Sequence, residues 1–217
     1  MDSLQTPRIP YVPGSFFVST GMKLVQRIHQ SKHYVQVIET SMRGDESIRK
    51  AVKLTSLLDS KGQLRDMSDF YKEVTIMEHI RKHTDHPNII KLDGFVRCQA
   101  FFALWMPLCS KGSLNTLSLS PTQVERFFVQ IACALRYLHR NNIIHGDVKP
   151  SNILVDASDN ALLADFDHAR IVTTGQPLTT KWTGTAGFIG PEYAYQKFVN
   201  VFLVSHYWYI FKQRNKY

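Results

Sequence analysis

Between residues 143 and 167 the chain wraps short apolar runs around polar turns in an order few folds accept. Ile143-Ile144 precedes the polar run His145-Gly146-Asp147-Val148-Lys149-Pro150-Ser151-Asn152, and Ile153-Leu154-Val155 follows it. A further run, Ala161-Leu162-Leu163-Ala164, leads straight into Asp165-Phe166-Asp167. Apolar runs of this length, bounded by turn residues, predict strand, polar loop, strand, turn, strand and then an acid. A β-meander with solvated turns would alternate in the same way, but the residue types suit phosphoryl transfer. Asp147 can receive a hydroxyl proton, and Lys149 can neutralise charge on the moving group. Asn152 and Asp165 can hold Mg²⁺ through oxygen, the ligand this hard cation prefers.

The rest of the chain supplies what such a loop needs to be held. Its 217 residues, 44% hydrophobic and 20% charged, suffice for one or two domains with a real core. Lys+Arg 26 against Asp+Glu 18 leaves a formal charge of +8. These basic residues are scattered, which reads as a solvated surface, and no nucleic-acid partner is expected. The three cysteines, Cys98, Cys109 and Cys133, form no CxxC pair. That suits a reducing compartment, so an intracellular, cytoplasmic location is expected. Met1 to Pro13 has no apolar core and is not a secretory signal.

Residues 1–20 read as an irregular leader broken by Pro7, Pro10, Pro13 and Gly14. Two strands are predicted within 24–39, a polar turn at 42–46, and another strand over 48–54. A helix is predicted over 66–82, capped by Asp66 or Ser68, with Phe70, Val74, Met77 and Ile80 along one face. His86-Pro87-Asn88 stops it, and strands follow at 89–92 and 101–106. The clearest helix spans 120–139. Ser120 fits its N-cap, Pro121 its first turn and Gln123 the capping box. Val124, Phe127, Phe128, Ile131, Leu135 and Leu138 form its apolar stripe.

The run 145–167 resembles the eukaryotic protein kinase family, whose pattern is His-Arg-Asp-x-Lys-x-x-Asn followed by Asp-Phe-Gly. Gly146 stands for the arginine and Asp167 for the glycine. The resemblance implies a two-lobed α+β fold, a smaller lobe over 21–106, a hinge at 107–110 and a partial larger lobe over 111–195. It implies ATP and Mg²⁺ as cofactors and a protein substrate or binding partner. Ala51-Val52-Lys53 is similar to the family's Val-Ala-Ile-Lys strand, which makes Lys53 the phosphate-binding lysine and Glu73 its partner, with Glu78 a rival. Met106 would guard the adenine pocket. The Pro107 carbonyl and the Cys109 amide would bind the base; proline lacks N–H but keeps the carbonyl. Lys149 favours the serine/threonine class, as does Gly184 to Glu192, which resembles that class's Gly-Thr-x-x-Tyr-x-Ala-Pro-Glu.

Three departures qualify this. The stretch 28–35, where the family has a glycine-rich phosphate loop, contains no glycine. Gly146 removes the arginine that pairs with a phosphorylated activation loop, so the threonines from 173 to 183 are not expected to act as a switch. The match covers about 24–195, and 196–217 is an atypical apolar tail, too interrupted to span a membrane. Without the family's floor helices, Ile131, Leu135 and Leu138 are expected to lose cover, and the chain as written is expected to be weakly active or inactive. Two other readings remain: a catalytically dead kinase-fold binding module, and a small-molecule kinase of the aminoglycoside or choline type. Oligomeric state is left open.

Overall fold

The computed structural model describes residues 14–30, 35–59, 62–83, 86–98 and 100–172. The chain is α+β and divides into two compact units. The first comprises residues 1–68 and 91–108, the second residues 69–90 and 109–217. Residues 31–34 of the glycine-free stretch, the activation-segment threonines and the apolar tail lie outside the described residues.

The first unit is built on a five-stranded antiparallel sheet: β1 (Met22–Gln30), β2 (Val35–Met42), β3 (Asp45–Ser56), β4 (Gly94–Arg97) and β5 (Phe101–Pro107), in the order β1-β2-β3-β5-β4. Side chains alternate across a strand. Ile38, Val52, Leu54 and Ala103 therefore share one face, with Met22, Phe16 and Phe101 packed against them. Phe16 comes from a short helix, α1 (Gly14–Thr20), and its ring meets that of Phe101 edge-on at 5.8 Å. The leader expected to stay irregular to residue 20 thus ends in a helix, because Phe16 finds an apolar sheet face to bury against.

β4 forms at 94–97, not at the predicted 89–92. Ile89, Ile90 and Leu92 are all buried, but consecutive burial lacks the alternation of a half-exposed strand. That segment is instead drawn to the strand β9 (Ala161–Leu163). Ile90 N–H donates to the Leu163 carbonyl at 2.9 Å, and Leu163 N–H to that of Asn88 at 2.8 Å. The buried Asn88 amide donates to the Ala161 carbonyl at 2.9 Å. These bonds tie residues 88–90 to β9, in the unit that also holds residues 69–87.

Two helices matter here: α2 (Ser68–His83) and α3 (Pro121–Arg140). Asp66 accepts from the Ser68 backbone at 2.9 Å, and the predicted face of α2, Phe70, Val74, Met77 and Ile80, is buried. At α3 the Ser120 hydroxyl accepts from Gln123 N–H at 3.3 Å, and the Gln123 side chain accepts from Ser120 N–H at 3.0 Å. Such a cap contributes about 1 kcal/mol. Ile131, Leu135 and Leu138 are buried, so the expected loss of cover is not found. Asn142, with φ 57°, closes the helix in the left-handed region that asparagine tolerates. Short ladders complete the unit: β6 (Gly112–Ser113), β8 (Ile153–Val155) and β9 in one, β7 (Ile143–Ile144) and β10 (Arg170–Ile171) in the other.

Candidate functional site

β7 delivers the chain into the loop 145–152, and β8 and β9 bring it back to Asp165. The loop is fastened to that returning strand. Asn152 N–H donates to the Lys149 carbonyl at 2.9 Å, and Ala164 N–H to that of Asn152 at 2.8 Å. His145 is the buried pin. Its Nε2 faces the Ala164 carbonyl at 3.0 Å, and its Nδ1 accepts from Asp147 N–H at 3.3 Å. A carbonyl only accepts, so Nε2 carries the proton and the ring is neutral. Burial pushes the His145 pKa down to about 4, against smaller upward pulls from the Ala164 carbonyl and from Asp165 and Asp147. The Phe166 ring lies 4.8 Å away.

Asp147 is buried, and its Oδ2 receives the Lys149 ammonium at 2.7 Å and the Asn152 amide at 3.1 Å. The same Asn152 amide reaches the Asp147 carbonyl at 2.9 Å. The loop therefore brings together three of the residues singled out from sequence: Asp147, Lys149 and Asn152. Cation and amide hold one carboxylate oxygen in place, as a positioned proton acceptor requires. The remaining Asn152 oxygen accepts from the Ser151 hydroxyl at 3.3 Å.

A second constellation was only half legible. Ligand oxygens of Glu73, Asp165 and Asp167 lie within 4.8 Å of one another. Glu73 is buried on α2. Its rival Glu78 is engaged elsewhere, taking both forks of Arg81 at 2.9 Å. Three carboxylates at this separation repel, and a hard cation or ammonium among them relieves the repulsion. Oxygen-only ligation is the chemistry Mg²⁺ accepts, so the residues present fit that ion. Asp167 had no assigned role in the linear pattern, and Glu73 was read only as a partner for Lys53. The strained backbone also falls elsewhere than the substitution for glycine suggests. Asp165 has φ 65°, whereas Asp167 is not among the positive-φ residues.

Gly146 has φ 81°, and a Cβ built there would lie 2.5 Å from the His168 carbonyl oxygen. The position that carries arginine in the kinase pattern is therefore occupied here by backbone packed on backbone.

The remaining candidates are spread over both units. Lys53 is half-buried in β3, in register with Val37 and Leu104. Pro107 ends β5 opposite Lys50. Cys109 begins the later segment of the second unit, and its carbonyl accepts from Gly112 N–H at 3.1 Å. Burial, aided by Asp156, pushes its thiol up to about 12, so it stays protonated and is no nucleophile at neutral pH. Among the described residues no helix is long and apolar enough to cross a membrane.

Known proteins are similar to this chain in sequence. The family model described as the protein kinase domain matches residues 33–202. The L-type lectin-domain containing receptor kinase V.5 of Arabidopsis thaliana is 34% identical over 170 residues, 73% of this chain and 24% of that protein. The L-type lectin-domain containing receptor kinase S.7 of Oryza sativa subsp. japonica is 40% identical over 121 residues, 51% of this chain and 17% of that protein. Calcium-dependent protein kinase 6 of Plasmodium berghei (strain Anka) is 30% identical over 163 residues, 71% of this chain and 10% of that protein. The chain thus spans a quarter or less of the length of these relatives.

Proposed function

The chain belongs to the protein kinase family, and on that premise we propose that its fold serves transfer of the γ-phosphoryl group of Mg-ATP to serine or threonine hydroxyls of proteins, with weak or no turnover by the chain as written. The observation that carries this reading is the Asp147–Lys149–Asn152 triangle closed on a single carboxylate oxygen. Asp147 orients the acceptor hydroxyl and takes its proton. Lys149, already 2.7 Å from that carboxylate, offsets charge on the transferring group. Asp165 and Asn152 supply oxygens for Mg²⁺, with Asp167 close enough to share the ion. When bound, the metal neutralises charge on the β and γ phosphates. Lys53 takes the α and β phosphates, and Glu73 is the acid that would steady it. Pro107 and Cys109 offer a carbonyl and an amide to the base. The relatives named above are protein kinases, which favours protein over amino-sugar or choline substrates.

The test is phosphorylation of a generic protein substrate by a polypeptide carrying these residues, with Asp147→Asn as the variant. Turnover should fall by orders of magnitude at unchanged melting temperature, and near-normal turnover would remove Asp147 from the role. Thermal shift with and without Mg²⁺ should show Asp165→Ala weakening metal-dependent nucleotide binding more than Asp167→Ala. The reverse order would exchange the two acids.

A further inference from the structure

Asn152 is almost fully committed within the loop 145–152. It is buried, its N–H donates to the Lys149 carbonyl at 2.9 Å, and its own carbonyl accepts from Ala164 N–H at 2.8 Å. The side-chain nitrogen is spent as well, on the Asp147 carbonyl at 2.9 Å and on Asp147 Oδ2 at 3.1 Å. A carbonyl and a carboxylate only accept, and an amide nitrogen has two hydrogens to give. The amide is therefore turned with Nδ2 towards Asp147 and Oδ1 away from it. Oδ1 has two lone pairs and one hydrogen-bond partner among the described residues, the Ser151 hydroxyl at 3.3 Å.

Ser151 is the middle residue of a short 3₁₀ turn, Pro150–Asn152. Its backbone is held there, because Pro150 fixes its own φ and the Asn152 N–H closes the turn on Lys149. The residue is exposed, and its hydroxyl makes no other hydrogen bond among the described residues. At 3.3 Å the contact with Oδ1 is long for one hydroxyl oxygen donating to another, which prefers about 2.7–2.8 Å. It is close to a different spacing. Two oxygens at right angles on one octahedral Mg²⁺, each about 2.0–2.1 Å from it, lie about 3 Å apart.

We infer that the Ser151 hydroxyl is a further ligand for the Mg²⁺ held by Asn152. The inference rests on the kinase reading, which gives Asn152 Oδ1 to the metal. A hydroxyl oxygen is the hard, uncharged donor this cation takes, and it keeps two lone pairs while it donates its hydrogen. It also rotates freely, so giving up a weak bond to Oδ1 costs little. The Asn152 oxygen cannot turn aside in compensation, because its amide nitrogen is anchored twice on Asp147.

The experiment measures, by titration calorimetry, the affinity of the full chain for a non-hydrolysable ATP analogue saturated with Mg²⁺ or with Zn²⁺. The proteins are the wild type, Ser151→Ala, Ser151→Thr, Ser151→Cys and Asn152→Ala, each with its melting temperature. Ser151→Ala should bind the Mg²⁺ complex about tenfold more weakly, the low end of what losing a partner of a metal site costs. Ser151→Thr keeps the hydroxyl and should stay within about twofold of the wild type. Ser151→Cys should lose the Mg²⁺ complex like alanine but favour the Zn²⁺ complex over alanine, because a thiolate suits the softer ion. Equal Mg²⁺ affinity in wild type and Ser151→Ala would overturn the assignment, while weakening in Asn152→Ala would leave the kinase reading intact. A cysteine variant with the same metal preference as alanine would also overturn it, since a residue that only steadies Asn152 does not touch the ion. Absence of binding by the wild type would overturn the kinase reading and this inference together.

Discussion

Replacing Gly146 by alanine should destabilise the second unit more than any nearby surface change, and the structure supplies the magnitude. Two costs add. The residue sits at φ 81°, where an L side chain costs about 1–2 kcal/mol. The new Cβ then meets the His168 carbonyl oxygen at 2.5 Å, its carbon at 3.3 Å and the His168 Cβ at 3.4 Å. The closest of these is backbone, so relief requires moving residues between Asp165 and the β7–β10 ladder, where Arg170 pairs with Ile144. Forced packing of this kind costs about 1–3 kcal/mol. The sum, about 2–5 kcal/mol, is a large part of a domain's usual stability and should lower the melting temperature by roughly 5–20 °C. Gly44 is the internal control. It has φ 91°, yet nothing lies within 4 Å of its Cβ position, so Gly44→Ala should show the backbone cost alone. Thermal melts of both variants isolate the contact with His168. Gly146→Arg should fall within about 1 kcal/mol of Gly146→Ala, because the damage is done by the first carbon. A Gly146→Ala variant no less stable than Gly44→Ala would refute the steric argument, and an arginine variant far worse than alanine would place the damage in its charge or length.

Other expectations concern packing and pH. At Gly94 a Cβ would fall 2.4 Å from Cζ2 of the Trp105 ring, so Gly94→Ala should cost about 1–3 kcal/mol and shift the tryptophan emission; an unchanged spectrum and melt would show that the ring has room to move. His145 is held neutral with its pKa pushed down to about 4 from an ordinary 6.5, so the unfolded chain takes its proton first as pH falls. Its contribution is whole above pH 6.5 and drains away between 6.5 and about 4, on the order of 3 kcal/mol; denaturant melts across that range should flatten in His145→Gln. Asp159 behaves separately. Lys111, then Arg126, hold its carboxyl down at about 2 from 3.8, so its contribution is whole above pH 3.8 and is lost as pH falls towards 2. Asp159→Asn should therefore alter the acid limb below pH 4 and leave the slope between 6.5 and 4 as in the wild type.

Much of this molecule could be read along the chain because the governing interactions are local. The capping box of Ser120 and Gln123 spans three residues, and the α3 stripe is a matter of helical period. Asp147, Lys149 and Asn152 meet because a loop of that length between two strands has little freedom to separate them. The buried face of α2 follows from the same periodicity.

What needed the folded chain depends on partners distant in sequence. Nothing in the proline-broken leader marks Phe16 as core; its burial exists only once Phe101 and Ile38 present a common face. The run from Ile89 to Leu92 reads as a strand until β9 engages the Asn88 carbonyl and the Ile90 N–H. The meeting of Glu73 with Asp165 and Asp167 joins α2 to a turn far along the chain, which no spacing rule reaches. Local periodicity is written into the order of residues, whereas register and the approach of a carbonyl to Gly146 are outcomes of packing and exist only in three dimensions.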